Sequence, residues 1–512
     1  MIVLEEEHQQ TVLATSTQQP SPSSFVLMRR IAGLGCFMSA SDTYAIKGML
    51  LPLLLSRINS DPEHLAAITL IITTTNIVVI GVSQIFALNM LAPPLIAQYN
   101  TLNGNPEEQA TKIRELNILY RNGLIYSAFA FPSIMLVLNF SEPMFTSIFQ
   151  QNAVVARIAA EFLRPYSIAV PATFFYLTTL MMLQSFQYTR ALAIGTASMV
   201  LCLALSIGLG YGTDLGIEGV LIGHVAEPFL TSIAFGGFLF GHPKFRDFHF
   251  FTSLTSSLRG NLTHMKQLLS TGSVITINVA AEIALGFGLA ALTGVHSLKA
   301  QESLALIMQY TLANAILGVH FPLSGMIIMG DAMGSPDKKA VYKTAKAGLL
   351  VALLAGSIIP LVFGVAPRSL LSIFGKEDDE IAGILDVLAP IMSIGSLVDV
   401  LRVAFVFQLR MLGDMKGSTA INVFSQLSGL GLAFGLGLYT NLDIYGIGLG
   451  YSLSIVISCA VLAQRWYSKM EPYRQPEPVQ NSRPSLGWDF CFWKSKTTSA
   501  DAIPLQQLEA TL

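Results

Sequence analysis

Apolar residues run along this chain in blocks long enough to cross a bilayer, separated by short polar stretches. Twelve blocks can be counted, at residues 30–57, 65–93, 116–140, 155–183, 191–212, 217–240, 267–292, 300–330, 344–366, 381–410, 418–438 and 444–466. A helical span needs about 20 mostly apolar residues. Hydrocarbon offers no water to backbone N–H and C=O groups, so each block predicts a helix. The fold expected is an all-α integral membrane protein with twelve transmembrane helices. Block one is the least regular, because Asp42 and Lys47 interrupt it. The longest interior polar stretch, residues 241–266, separates six blocks from six. It predicts two six-helix lobes, 30–240 and 267–467, joined by a cytoplasmic loop. Residues 1–29 are acidic and polar and residues 468–512 are polar and Pro/Ser-punctuated, so both are expected as disordered cytoplasmic tails, with no signal-peptide pattern at the start.

The second lobe repeats the first. Gly208 to Gly223 reads GLGYGTDLGIEGVLIG and Gly435 to Gly450 reads GLGLYTNLDIYGIGLG. At an offset of 227, Gly208, Leu209, Gly210, Thr213, Leu215, Ile217, Gly219 and Gly223 meet identical residues. A chance Gly–Gly match at one column is under about 1% at ordinary glycine usage, and this window holds four. Two weaker echoes lie upstream. Leu183-Gln184…Thr189-Arg190 matches Leu409-Arg410…Met415-Lys416 at offset 226, and Glu161-x-x-x-Pro165 matches Asp386-x-x-x-Pro390 at offset 225. An even helix count returns each half to the same side, so the repeats are parallel, related by an axis along the membrane normal. Glycines in these stretches have two readings: close helix packing, their common use in membranes, and bending during transport.

Composition narrows the class. Mean hydropathy is +0.57 with 12% charged residues, against roughly 25% in soluble domains. With the N-terminus inside, inner segments hold Arg29, Arg30, Lys112, Arg114, Arg121, Arg190, Lys244, Arg246, Arg259, Lys266, Lys338, Lys339, Lys343, Lys346, Arg410 and Lys416. Outer segments hold Arg57, Arg157, Lys299, Arg368 and Lys376. This asymmetry places both termini in the cytoplasm of a multi-pass plasma membrane protein, with a bacterial inner membrane as the expected setting. A net charge of −2 gives no reason to expect a nucleic-acid partner. Cys36, Cys202, Cys459 and Cys491 show no metal spacing and no disulfide framework. No P-loop and no selectivity-filter segment occurs, which excludes a self-powered ATPase and a filter-type channel. What remains is a secondary transporter whose two lobes rock about a cleft.

Charges inside the blocks need a reason, since each costs about 2.5–3.5 kcal/mol at mid-bilayer on the mildest scale. Glu282 lies in GSVITINVAAEIALGFGLAAL, with Asn278 one turn before it and no cation on its own helix. Asp399 lies in LAPIMSIGSLVDVLRVAFVFQ, with Arg402 three residues on. That spacing allows a helix-stabilising pair, the bland reading of Asp399. The sharper reading makes both carboxylates sites for a proton or a hard cation, the coupling groups of an antiporter. Other charges rank below them. Glu161 and Arg164 are spaced to pair with each other; Asp386 lies near a helix end; Glu227-Pro228 lines a cleft or marks a kink. Gln301 and Glu302 open the eighth block, and His224 and His320 read as packing residues. Asp42 and Lys47, five apart, are a poor helical pair and harder to dismiss.

Several short motifs in order carry a resemblance: His64-Leu-Ala-Ala-Ile68, Gly104-Asn-Pro-Glu-Glu108, Met329-Gly-Asp-Ala-Met-Gly-Ser-Pro-Asp-Lys338 and Gln408-Leu-Arg-Met-Leu-Gly-Asp-Met-Lys416, together with the repeated glycines. Over roughly residues 28–467 the chain resembles the multidrug and toxic compound extrusion (MATE) family, in its NorM-like branch. The resemblance implies that a glutamate of helix seven and an aspartate of helix ten handle the coupling cation, positions that Glu282 and Asp399 occupy here. Asn278, Arg402, Gln301 and Glu302 would support them, and Na⁺, if it is the coupling ion, would bind at Glu282 and Asp399. The pattern departs from the family where many members carry an aspartate in the outer half of helix one; here that stretch is GMLLPLLLSR, with Lys47 the nearest charge. Where some relatives place a tyrosine one turn before Asp399, this chain has Gly395.

The function expected is secondary-active multidrug efflux: export of cationic amphiphilic molecules in exchange for Na⁺ or H⁺, by a monomer among membrane lipids, with no other cofactor and no enzymatic step. Two alternatives stand beside it. A flippase of the same superfamily, for lipid-linked sugars or polysaccharide, would need a basic cleft. A membrane-embedded lipid-group transferase would need clustered Asp or His at a membrane surface, where the chain offers only Asp378-Asp379-Glu380.

Overall fold

The computed structural model describes residues 23–42, 62–102, 106–148, 152–246, 248, 258–334, 337–373 and 378–474. Lys47, the outer half of the first block, residues 247 and 249–257 of the 241–266 loop, both distal tails and Cys491 lie outside the described residues.

The described chain is helical. Its main elements are α1 (Ser24–Ser41), α2 (Pro62–Ser83), α3 (Leu88–Thr101), α4 (Pro106–Asn139), α5 (Ala153–Ser167), α6 (Val170–Ser185), α7 (Thr189–Gly212) and α8 (Gly216–Gly241) in the first half. The second half holds α9 (Leu258–His296), α10 (Leu298–Met333), α11 (Lys338–Gly356), α12 (Ile358–Val365), α13 (Asp379–Met411), α14 (Met415–Leu438) and α15 (Asp443–Lys469). Among the described residues ten helices are long and apolar enough to cross a membrane, eleven with the bent pair α5–α6 counted as one span. The remaining expected span is α1, described only as far as its C-cap, Asp42. A 3₁₀ turn at Gln84–Ala87 joins α2 to α3. The 56° bend between α5 and α6 falls at Ile168–Ala169, where i→i−3 bonds replace the α ladder and Pro171, at the start of α6, has no N–H to offer Ser167 O.

Helices overshoot the apolar blocks at most ends, and three of these reach into the expected tails and loop. Ser23 caps α1, so residues 24–29 are helix and not tail. α9 starts at Leu258, inside the expected loop, and α15 runs to Lys469, inside the expected tail. Apolar patterning marks only the stretch that lies in hydrocarbon, about 30 Å, whereas a hydrogen-bonded helix continues into the polar interface.

The repeated sequence forms the same structure twice. α7 packs along α8, and α14 along α15. Thr213 donates to Leu209 O at 2.5 Å and accepts from Leu215 N at 3.3 Å; Thr440 donates to Leu436 O at 2.5 Å and accepts from Leu442 N at 3.2 Å. Gly219 presses on the backbone of Leu209 and Gly210, as Gly446 does on Leu436 and Gly437. Close backbone approach is therefore what these two glycines permit. Gly208 and Gly435, in the same motif, face open space. Gly219→Ala and Gly446→Ala should each destabilise the protein by about 1–3 kcal/mol, the usual cost of overpacking. Gly208→Ala and Gly435→Ala should stay within about 0.5 kcal/mol of wild type. Thermal unfolding in detergent separates the two pairs; equal behaviour would remove the packing explanation.

Candidate functional site

Three helices of the second half bring one charged cluster together. Arg402, three residues after Asp399 on α13, donates Nε to Asp399 Oδ1 at 2.5 Å and Nη2 to Glu282 Oε1 on α9 at 3.3 Å. Asn278, one turn before Glu282, donates Nδ2 to the same Oε1 at 3.1 Å. Asn422 Nδ2 arrives from α14, 3.2 Å from that oxygen and 2.5 Å from Asn278 Oδ1. The lone cation expected for Asp399 alone thus serves both carboxylates. Sequence spacing could not reveal the second bond, because its partners are 120 residues apart. Asn422 was also missed; its signal was an amide in mid-helix with apolar neighbours Ile421 and Val423.

Exposure orders the cluster. The Arg402 side chain is 4% exposed, against 39% for Glu282 and 29% for Asp399. The carboxylates present the accessible face and the guanidinium lies behind them. Hydrogen bonds occupy one oxygen of each carboxylate, while Arg402 Nη1 and Asn422 Oδ1 are buried without a hydrogen-bond partner. Two carboxylates against one guanidinium leave a formal charge of −1. Charge-assisted bonds offset the cost of bringing these ions out of water. The arrangement can take a proton on a carboxylate. It can also offer a hard cation oxygen ligands from Glu282, Asp399 and the Asn422 amide, although the nearby guanidinium opposes a second positive charge.

Arg410, counted above among the cytoplasmic residues, is buried two turns beyond Arg402 and donates Nη2 to Thr419 Oγ1 at 3.2 Å; its Nε has no hydrogen-bond partner. Gln301 and Glu302 sit in the first turn of α10, with side chains outside the described residues. Glu161 and Arg164 do not pair with each other. Glu161 accepts from Arg157 Nε at 3.0 Å, and Arg164 binds Glu142. Both i−4 and i+3 neighbours of Glu161 lie within reach, and Glu142, on the short preceding helix Ser141–Pro143, draws Arg164 away. Asp386 binds Arg368 at 2.7 Å, Glu227 accepts from Thr231 at 3.0 Å, and His224 packs on Phe162 and Tyr166. Beyond the spans, Lys299 and the Ile381 N–H hold the Asp378 carboxyl below its ordinary value.

Residues 294–435, which include Asp399, Arg402 and Asn422, match the MatE family model. Multidrug and toxin extrusion protein 2 of Oryctolagus cuniculus is 24% identical over 406 residues, 78% of this chain. The match spans 63% of that relative's length. Residues 294–435 thus carry the pattern of the MatE family, and the chain is similar to a multidrug and toxin extrusion protein over most of its length. Among solved structures, the eukaryotic MATE transporter AtDTX14 superposes with a TM-score of 0.73 at 15% identity, covering 88% of this chain and 99% of its own. A MOP superfamily transporter of Pyrococcus furiosus, described as having a binding pocket of reversed polarity, gives 0.73 at 15% identity over 89% and 100%. A Vibrio cholerae MATE transporter gives 0.72 at 16% identity over 88% and 99%. At such identities these structures carry the fold. Eukaryotic and bacterial proteins appear alike among them, so they single out no branch of the MATE family.

Removing the arginine leaves two carboxylates facing each other. Arg402→Met should cost at least about 1 kcal/mol, below the roughly 3–5 of a fully buried broken pair because both acids are partly exposed. The double variant Arg402→Met/Asp399→Asn should recover part of the loss. Detergent unfolding of both variants checks this, and a single variant as stable as wild type would show that the cluster contributes nothing to stability.

Proposed function

We propose that the chain is a secondary-active antiporter that exports cationic amphiphilic small molecules in exchange for H⁺ or Na⁺, working as a monomer with both termini cytoplasmic. The observation that carries this reading is the partly exposed carboxylate pair, Glu282 and Asp399, backed by a buried arginine and left with net negative charge. An incoming cation meets the acids before it meets Arg402. A coupling ion and an organic cation would compete for this one negative site. Exchange requires only that each binds the inward- and outward-open states unequally. The printed name of the Oryctolagus cuniculus relative, multidrug and toxin extrusion protein 2, supports efflux as the direction and drugs as the class.

Inter-lobe bonds support a rocking mechanism. Gln84 Nε2 donates to Leu269 O at 2.7 Å, Ser83 Oγ to Thr276 Oγ1 at 2.9 Å, and Arg30 Nη2 to Asp331 Oδ2 at 2.8 Å. The seam also carries Ser39 Oγ to Ile316 O and the Asp42–His320 contact, so rocking would exchange local polar contacts along its length.

One observation favours a second reading. Two buried arginines, Arg402 and Arg410, each keep a nitrogen without a hydrogen-bond partner. A substrate anion, such as the phosphate of a lipid-linked sugar, would suit those donors. Proteoliposome transport of ethidium under imposed pH or Na⁺ gradients decides between the two. Antiport expects gradient-driven uptake that falls at least tenfold in Glu282→Gln and in Asp399→Asn, the effect of about 1.4 kcal/mol on a rate. Wild-type uptake untouched by either change would sink the carboxylates as the coupling site. An absence of uptake under every gradient would favour the flippase.

A further inference from the structure

A basic and aromatic cluster lies where α11 begins and α15 ends, away from the acids on α9 and α13. On α11, Lys339, Lys343, Lys346, Leu350 and Leu354 are exposed and follow one another at helical spacing, so they share one face. That face changes from charged to apolar within one turn, between Lys346 and Leu350. Leu354, and Ile358 and Leu361 of α12, carry the apolar part on, each more than half exposed. Side chains this apolar and this open, on a span long enough to cross a bilayer, lie against acyl chains. Lys346 therefore stands where acyl chains give way to headgroups.

A second cation comes to the same place. The short helix after α15, Glu471–Arg474, lays the Arg474 guanidinium over the Tyr467 ring at 4.3 Å and sets it 5.9 Å from the ring of Tyr342 on α11. Lys346 Nζ lies 5.6 Å from that same Tyr342 ring. Two cations thus meet one tyrosine, and among the described residues no carboxylate forms an ion pair with either. Glu471 acts on Arg474 through charge alone. Like charges gathered in this way repel, and a phosphate placed between them removes the repulsion. A guanidinium stacked on a ring still turns the N–H groups of its edge outward, where a phosphate can accept from them. The platform below is held from three helices. Tyr342 stacks on Trp466 at 6.3 Å, and Trp466 lies on Phe405 of α13 at 5.7 Å. Trp466 Nε1 donates to Gln408 Oε1 at 2.7 Å, and Gln408 Nε2 donates to Ala345 O at 3.0 Å.

We infer that Lys346 and Arg474, on the rings of Tyr342 and Tyr467, form a binding site for the headgroup of an anionic phospholipid whose acyl chains run past Leu350 and Leu354. The occupant is a lipid because the cations open directly onto the acyl-facing stripe. A zwitterionic headgroup brings a cation of its own, which Lys346 and Arg474 repel, so charge selects phosphatidylglycerol over phosphatidylcholine. Gln408 ties the platform to α13, and a bound lipid braces α11 and α15 against the helix that carries Asp399 and Arg402. The site stands whether or not the chain is an antiporter.

Trp466 reports on occupancy. The chain has three tryptophans, and Trp488→Phe with Trp493→Phe leaves Trp466 as the only one in the full chain. Reconstituted protein is titrated with brominated lipids, which quench a tryptophan they approach, comparing phosphatidylglycerol with phosphatidylcholine of the same chains. The expected result is stronger quenching by phosphatidylglycerol, a preference that falls at least about fivefold in Lys346→Gln/Arg474→Gln, the effect of one cation near a charged leaflet. Arg29→Gln/Arg190→Gln, which removes exposed cations of the first half, should keep the preference. Equal quenching by the two lipids in the wild type overturns the proposal, and so does a preference that Lys346→Gln/Arg474→Gln retains. A preference lost equally in Arg29→Gln/Arg190→Gln also overturns it, since general surface charge would then suffice. Inorganic phosphate that abolished the preference at matched ionic strength would assign the site to a soluble anion and overturn the lipid. Should the double variant fail to fold, Lys346→Gln and Arg474→Gln, each at an exposed position, carry the same comparison singly.

Discussion

The guanidinium of Arg402 is the group on which the second half of this protein is organised. One planar cation answers an aspartate on its own helix and a glutamate on another, and it does so from a position nearly closed to solvent. Such a group cannot move far. Any rotation of α13 that turned Arg402 out of the bundle would strand Glu282, and any slide of α9 would strand Arg402. Asn278 and Asn422 complete the constraint by donating to the same glutamate oxygen, so α14 is held in register as well. Three apolar helices could pack in several registers on shape alone; a shared ion pair in a medium of low polarity leaves few.

That arrangement explains what could be read along the chain. The helices follow from apolar length, and the duplication from glycine columns set beside a threonine, Thr213 or Thr440, whose hydrogen bonds recur in both halves. Glu282 and Asp399 stood out because charge is costly where they sit. Their shared partner did not, since neither periodicity nor composition reports which faces of distant helices meet. Glu161 shows the same limit in reverse: the local rule offered two arginines, and a third residue, Glu142, determined which of them it kept. Arg410 was placed by its position at a block end, yet it is buried there with Thr419 of α14 as its partner, although α13 ends one residue on at Met411. Helix ends were misjudged in one direction throughout, because hydropathy sees the hydrocarbon and not the hydrogen-bonded turns beyond it.

Duplication makes the distribution of charge informative. Carried back by 225 or 226 residues, Asp399 falls on Phe174 or Thr173 and Arg402 on Leu177 or Tyr176, none of them charged. α6, which carries those positions, joins a neutral network instead, and the first half's buried Arg121 and Glu227 lie on α4 and α8. Asn89 donates to Gln184 at 2.9 Å, Ser185 donates to Asn89 at 3.1 Å, and Tyr120 meets Thr179 at 2.9 Å. Two lobes with one backbone plan therefore differ in electrostatics. An ion bound at the proposed site would change the internal forces of the second half, where Arg402, Asp399 and Glu282 meet.

The proposed ion site, confined to one lobe, would have to influence the other if the two are to move together. The seam supplies the means. α1 belongs by sequence to the first half but packs along α10 of the second, and their contacts run from Arg30–Asp331 at one end to Asp42–His320 at the other. α10 lies against α13, the helix of Asp399 and Arg402, so it touches the charged cluster's scaffold on one side and the opposite lobe on the other. A change in the cluster that tilts α13 therefore reaches α1 through a single helix. Polar bonds along that helix are few and local, but they sit within an apolar contact: Ile31 and Met38 of α1 and Phe321 and Ile327 of α10 are buried in one core. Rocking that kept these apolar faces covered and exchanged only the polar bonds would cost about a few kcal/mol, an amount that ion binding could supply.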